Sequence, residues 1–247
     1  MTSGSPHDKR RTAVLRALSL VKATGRLGIG SGSTMAMFLE ELSRMTTAEG
    51  NPFSVVPSSS QVEVECSRLG ISLSSLYDAP RLEIVIDSAD EVDSNMNLLK
   101  GGGAALTREK VLHSSGDAIV IVVEEDKVVT RLGEKHPLPI EVLPFALPML
   151  KREIEGVFSV KTNIRYLPGK AGPLVTDNGN YILDIHLGAI ENPAEVNARL
   201  KSFPGVIETG IFPARNGFLV VGKDSGAEVL EMRPAPDVKV GVAHHGK

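Results

Sequence analysis

The stretch Leu82-Glu-Ile-Val-Ile-Asp87-Ser-Ala-Asp90-Glu-Val-Asp93 decides the fold. Its first five residues form a short apolar, β-branched run, interrupted only by Glu83, and read as a buried strand. Four carboxylates follow within seven residues, from Asp87 to Asp93. In open α/β sheets, ligands sit beyond the carboxyl ends of strands, so acids at this point mark one wall of a candidate site. Carboxylates this close repel one another unless they are protonated, paired with cations or solvated. A metal site, an acid–base and hydroxyl-binding cluster, and a solvated acidic turn are the three readings.

Working outward, helical and strand patterns alternate. Residues 12–23 read as helix, 26–30 as strand, 33–44 as helix, 53–56 as strand and 60–69 as helix. Beyond the 82–86 strand come a helix at about 104–114 and the most strand-like run of the chain, Asp117 to Val123. This alternation predicts a parallel sheet with helices on both faces. The rhythm changes near residue 134, where His136 to Pro148 holds four prolines, suited to a crossing between domains. The spacing then predicts strand 139–143, helix 145–155, strands 157–166 and 180–187, helix 193–202 and strand 205–212, with Asp177-Asn178-Gly179 as a turn. That β-α-β-β-α-β order is a ferredoxin-like unit. Gly217 to Gly222 reads as a strand returning to the first domain, and the tail with Pro234, Pro236, His244 and His245 as loosely held.

Two further segments carry chemistry. In Lys100-Gly-Gly-Gly-Ala-Ala-Leu-Thr-Arg-Glu109-Lys, three glycines give up helix and strand stability but let a backbone approach a small ligand closely. An ammonium, a bare backbone and a carboxylate together can handle an anionic, oxygen-rich substrate; a linker followed by a solvent-facing Glu is the plain alternative. In Leu27-Gly28-Ile-Gly30-Ser31-Gly32-Ser33-Thr34, a strand closes and a helix opens, offering hydroxyls, unpaired N–H groups and a positive dipole end, which makes a phosphate cradle. Ser33 is also the expected helix cap. The loop departs from the dinucleotide fingerprint, because Ser33 stands where the third glycine belongs, and no Gly-Lys-Ser/Thr follows.

Composition narrows the class. The chain has 247 residues, 42% of them hydrophobic, a mean hydropathy of +0.02, a net charge of −3 and an isoelectric point near 6.1. It has no basic cluster resembling a nucleic-acid patch and no Trp. No stretch approaches the length of a membrane span. Cys66 is the one cysteine, which excludes an internal disulfide and fits a reducing compartment. The stretch Met1 to Arg11 lacks the apolar core of a signal peptide. Val14, Leu15, Leu18 and Val21 read as the buried face of a first helix rather than as part of a transit peptide, and a cytoplasmic location is expected. The six histidines show no metal-ligand spacing, so no metal and no cofactor are expected. His113 and His186 read as helix-end and strand-face residues. There is no Gly-x-Ser-x-Gly elbow, and Cys66 reads as buried filler. The chemistry is therefore expected to rest on Asp, Glu and Lys.

With these residues assembled, the chain resembles the A-type ribose-5-phosphate isomerases over nearly its whole length. Residues 28–34 resemble that family's G-x-G-T-G-S-T loop, 87–93 its D-G-A-D-E motif and 100–110 its lysine–triple-glycine block. The spacing also fits, as do Val175 to Asn180 and the proline-rich stretch. The resemblance implies a Rossmann-like parallel-sheet domain (1–134 with 213–247) and a smaller ferredoxin-like α+β lid and oligomerisation domain (135–212). It also implies a metal-free, homodimeric or homotetrameric enzyme of carbohydrate metabolism acting on a sugar phosphate. Glu109 is implied as the base, with Asp87, Asp90 and Lys100 as its catalytic partners. Substrate contacts are implied from Ser31, Gly32, Ser33 and Thr34, from Ser88 and Ala89, from Gly101, Gly102 and Gly103, and from Lys127. Ser31 stands where the family usually has Thr. Ser88 stands where it usually has Gly, which would add strain or narrow the site if a positive φ or a close backbone approach were required there.

The reaction so implied opens the sugar ring and moves a proton from C2 to C1 through a cis-enediolate on one carboxylate. Glu109 would be that carboxylate, raised in pKa by burial, with Lys100 stabilising charge on oxygen. Asp87 and Asp90 would hold hydroxyls, their roles undivided. A non-catalytic sugar-phosphate sensor, a nucleotide-dependent oxidoreductase and an amino-sugar phosphate deaminase-isomerase are the other classes. The first lacks a helix-turn-helix segment, and the second is opposed by the broken glycine fingerprint.

Overall fold

The computed structural model describes residues 6–21, 25–45, 52–78 and 80–234. Tail residues Pro236, His244 and His245 lie outside them. The first half alternates as its periodicity predicts: α1 (Pro6–Leu18), β1 (Gly25–Ile29), α2 (Ser33–Ser43), β2 (Phe53–Pro57), α3 (Ser60–Leu69) and a short β3 (Ser72–Leu73). There follow β4 (Leu82–Asp87), two short strands β5 (Glu91–Val92) and β6 (Leu98–Leu99), α4 (Leu106–Ser115) and β7 (Gly116–Glu124). Helix α1 lies earlier than the expected 12–23, and its packed face is Ala13, Val14 and Ala17, while Leu15 is 46% exposed. Two alanines on that face let the helix lie close against the sheet, an approach that leucines would prevent.

Past residue 134 come β8 (Leu138–Val142), α5 (Leu147–Phe158), β9 (Thr162–Ile164), β10 (Tyr181–Ile185), α6 (Pro193–Lys201), β11 (Val206–Thr209), β12 (Ile211–Phe212), β13 (Gly217–Lys223) and β14 (Gly226–Met232). Two expectations fail here. The 157–166 strand is mostly absent, because α5 runs to Phe158 and ends at Ser159 in the left-handed region, leaving three residues for β9. The 205–212 strand is two strands in different sheets, broken at Gly210, whose absent side chain makes room for the Lys100 carbonyl. Strand β14 is an addition to the expected elements.

The main sheet has the order β14-β13-β7-β4-β1-β2-β3, parallel throughout except for the β13–β14 hairpin. Apolar clusters cover both faces, one around Phe38, Leu39 and Val62 from α2 and α3, the other around Leu106 and Leu112 from α4. The order reverses at β1, which lies between β2 and β4. The crevice beyond the ends of β1 and β4 is therefore the topological switch point where ligands of such sheets bind. Residues 138–209 form a second sheet, β11-β8-β10-β9, with every pair antiparallel and a core of its own around Leu150, Ile154 and Leu200. That order is 4-1-3-2 of a ferredoxin-like unit. The fold is thus α/β and Rossmann-like, with a ferredoxin-like α+β unit. A three-stranded antiparallel sheet, β12-β6-β5, runs between the two and leads directly into Lys100.

Candidate active site

Strand β4 delivers Asp87 to the sheet's carboxyl edge, fully buried. Its Oδ1 accepts from the Ser88 N–H at 2.7 Å and lies 3.0 Å from the Lys100 ammonium, and its Oδ2 lies 2.8 Å from His113 Nε2. Lys100 follows β6 and is itself 3% exposed. It donates to the Ser88 carbonyl at 2.7 Å and reaches Glu109 Oε2 at 3.1 Å. Glu109 sits in the first turn of α4, 4% exposed, and its Oε1 accepts from the Ser31 N–H at 3.2 Å.

The electrostatics follow from this geometry. Burial would raise Asp87 strongly, but Lys100 and the His113 hydrogen bond hold it below the usual carboxylate range. Burial would lower Lys100, and the charges of Asp87 and Glu109 more than reverse that, so it stays an ammonium. Glu109 is pushed up to about 7, first by burial and then by the Asp87 charge, against the opposing pull of Lys100 and the Ser31 N–H. One carboxylate is thus held ionised and another near neutrality. Such a divergence separates a fixed charge from a working base.

A cavity of about 160 Å³ opens above this cluster. Every residue singled out from the sequence lines it except Asp87, which lies beneath: Ser31 to Thr34, Ser88, Ala89, Asp90, Lys100 to Gly103, Glu109 and Lys127. Arg10 and Glu124 join the rim. A larger depression of about 650 Å³, lined by other α4 residues, has Arg81 paired with Asp117 and Lys110 with Glu208. It offers no poised acid or base.

The triple glycine serves the site. Gly101 has φ +113, and a Cβ there would crowd Leu106 and Pro139. The Gly102 N–H donates to Asp90 at 2.8 Å, fixing that acid at the cavity wall. The four-acid run divides its work. Asp87 and Asp90 face the site, while buried Glu91 accepts three backbone N–H groups from Gly133, Lys135 and His136, and Asp93 binds the 95–97 turn. Among the described residues no group of three or more His, Cys, Asp or Glu side chains is placed to hold a metal ion, and no helix is long and apolar enough to cross a membrane.

Two expectations need correction. Ser33 is the first helical residue, not the cap; Gly32 takes the cap position, and no side chain caps α2. The Ser33 hydroxyl instead accepts from Arg10 Nη1 at 3.1 Å. The Ser31 hydroxyl is engaged with Ser58 and Ser59, each at 2.7 Å, so Ser31 presents its backbone rather than its side chain to Glu109. Ser88 does not have positive φ, so the Ser there carries no backbone strain.

Sequence reasoning also missed three contributors. His113 stands one turn after Glu109 on the same helix face and bonds Asp87; that i, i+4 spacing is visible in the sequence, but its acidic partner comes from another strand. Arg165 donates to the carbonyls of Gly101 at 2.6 Å and Gly102 at 3.0 Å while paired with Asp184. Buried Glu141 gathers Thr107, Thr176, Asn178 and Asn180. Nothing local in the sequence announces either of the last two. Cys66 is buried, and burial raises its thiol to about 11, as filler should behave.

A buried carboxylate near neutrality beside a lysine, under a small polar cavity in a Rossmann-like α/β fold, suits an enzyme that moves protons on a small, hydroxylated anion. The sequence profile of ribose 5-phosphate isomerase A (phosphoriboisomerase A) matches residues 54–226. The ribose-5-phosphate isomerase A of Methanothermobacter thermautotrophicus is 40% identical over 221 residues, covering 90% of this chain and 96% of that protein. The Thermococcus kodakarensis enzyme is 38% identical, covering 91% and 98%. The solved ribose 5-phosphate isomerase A of Methanocaldococcus jannaschii superposes with a TM-score of 0.86 at 33% identity, covering 92% of this chain and all of that one. A D-ribose-5-phosphate isomerase solved in complex with phospho-erythronic acid superposes at 0.87 with 34% identity over the same shares. The chain belongs to the ribose 5-phosphate isomerase A family and is an isomerase.

Proposed function

We propose that this protein interconverts D-ribose 5-phosphate and D-ribulose 5-phosphate through a cis-enediolate, in the non-oxidative pentose phosphate pathway, with Glu109 as the single shuttling base. The observation that carries the reading is the Lys100 ammonium between Asp87 and Glu109, with Glu109 raised to about 7. Ionised Glu109 takes the C2 proton and returns it to C1, while the O2 hydroxyl proton passes to O1. Lys100 offsets the negative charge that grows on these oxygens, where a preorganised cation is worth more than in water. Asp90, with an oxygen open to the cavity, receives substrate hydroxyls and assists ring opening. Asp87 acts from beneath as the fixed anion that holds Lys100 and keeps Glu109 basic.

The phosphate is assigned to the start of α2. This 11-residue helix has no side-chain cap, so its first N–H groups face the cavity with their dipole end. Lys127 lies on the same cavity with no ion-pair partner among the described residues. A solved relative in complex with phospho-erythronic acid supports a phosphorylated, hydroxylated ligand for this cavity. Residues 135–212 are proposed as a lid, since they carry a sheet and core of their own. Exposed Phe145, Tyr166 and Leu167 on that unit favour a homo-oligomer. With a single cysteine in the chain, the proposal places the enzyme in the cytoplasm.

The test is ketose formation from ribose 5-phosphate with a chelator present and no nucleotide. With substrate deuterated at C2, the single-base mechanism predicts some label at C1. A lack of ketose, or activity only after a divalent metal is added, would overturn the reading. Product without any label at C1, at early conversion, would remove the single shuttling base if solvent exchange is slow.

A further inference from the structure

We propose that His113 is a positioning residue for the acid–base site: it fixes Asp87 from beneath as a charged, immobile partner of Lys100 and so sets the proton affinity of Glu109. The inference rests on the reading of Glu109 as the base and adds a residue to it.

His113 follows Glu109 by one helical turn, so both project from one face of α4 toward the ends of β1 and β4. It is 3% exposed, with Nε2 2.8 Å from Asp87 Oδ2. An ionised carboxylate can only accept hydrogen bonds, so Nε2 must carry the hydrogen. Phe212 meets the imidazole edge to face at 5.1 Å and 75°, holding the ring plane. With Ser88 N–H and Lys100 on Oδ1 and His113 on Oδ2, both oxygens of Asp87 are tied and the carboxylate cannot turn.

The charges around the ring argue for a neutral donor. Burial lowers its affinity for a second proton, and Lys100 and Arg215 add to that against the pull of Asp87. His113 also borders a cavity of about 210 Å³ with Lys110, Lys201, Arg215 and Glu208. Of these, Lys110 and Lys201 pair with Glu208 rather than with the imidazole. Asp87 is the one acidic partner of His113 among the described residues. The Asp87 charge is in turn the main influence, after burial, that raises Glu109. A role in packing alone would need only an apolar side chain of similar volume against Phe212; the role inferred here needs a donor.

The experiment compares His113→Leu, which keeps volume without a donor, and His113→Gln, whose amide nitrogen reaches the place of Nε2, with Asp87→Asn and Glu109→Gln in parallel. The readouts are kcat, KM, the pH profile of kcat/KM and Tm. His113→Leu should lower kcat about tenfold with KM changed less than about threefold. It should also move the acid limb of kcat/KM downward by roughly half a pH unit or more, because an Asp87 free to turn from its place raises Glu109 less. His113→Gln should restore most of both. A Leu variant with parental kcat and acid limb, or a Gln variant no better than Leu, overturns the inference. If Leu does not fold, ¹⁵N NMR of the parent imidazole decides: the neutral Nε2–H tautomer between about pH 6 and 8 supports the role, and a charged ring or the Nδ1–H tautomer overturns it. Activity retained in Glu109→Gln would instead sink the proposed function. Loss there with His113→Leu unaffected sinks only the role of His113.

Discussion

A Cβ atom on Gly30 would lie 1.8 Å from Oδ1 of Asp87. The residue just past β1 and the last residue of β4 therefore share one volume, and the carboxylate occupies it because glycine leaves it empty. Gly30→Ala must push Asp87 away from Lys100, and a displacement of about 1 Å in such a site costs on the order of 10²-fold in rate. The expected result is a folded protein, by circular dichroism, with kcat reduced by that amount. Parental kcat would mean that Asp87 can move freely without consequence.

Glu109→Gln keeps shape and removes the base, and kcat should fall by about 10²–10⁴ with a smaller change in KM. The same variant should be more stable at alkaline pH. The folded pKa of Glu109 is raised from 4.5 to about 7, so the native state binds a proton that the unfolded state has lost across that window, and parental stability falls as pH rises through it. The deficit should reach about 3 kcal/mol above pH 7, on the order of 1.4 kcal/mol per unit. Denaturant melts at pH 5 and pH 8 check this: the stability advantage of Gln over Glu should be larger at pH 8.

A base must be ionised to act. Activity should therefore be lost on the acid side, with log kcat/KM falling with unit slope below about pH 7, the value to which burial and Asp87 bring Glu109. A profile flat down to pH 5 would assign the base elsewhere.

Lys127→Ala should raise KM for ribose 5-phosphate about 10- to 100-fold, the worth of one charge-assisted contact, and leave kcat within about threefold. Free ribose should be a very poor substrate, and inorganic phosphate a weak competitive inhibitor. Equal kcat/KM for ribose and its phosphate ester would remove the α2 start as the phosphate end.

Arg165 holds the carbonyls of Gly101 and Gly102 from the second sheet. Arg165→Lys keeps a charge but loses the planar fork, so kcat should drop about tenfold while Tm changes little. Arg165→Ala also strands Asp184 and should cost about 2–4 kcal/mol of stability, measured by urea melts.

Much of this was legible where the signal is local. The junctions at 27–34, 82–93 and 100–110 announce themselves through short apolar runs that stop at Gly, Asp or Lys, and those junctions are the site. The order of the second unit was legible too, because βαββαβ can be read from alternation alone. What failed depended on neighbours. A β-branched run at 157–160 belongs to a helix end because Ser159 turns the chain there. The Ser31 hydroxyl faces Ser58 and Ser59, a contact set by β2 and invisible in the loop itself. Asp87 could not be distinguished from Asp90 until burial put one beneath the cavity and the other beside it.

The Glu141 knot ties Thr107, two residues before Glu109, to Thr176, Asn178 and Asn180, which are remote in sequence. A chain with its parallel sheet formed but this knot open would lose the tie at Thr107, and with it one of the contacts that set the place of Glu109 beneath the cavity. Catalytic competence therefore needs the second unit in place as well as the parallel sheet. A molecule in which only the parallel sheet had formed would be silent rather than half-active, and an assay of turnover would double as a count of completely folded molecules.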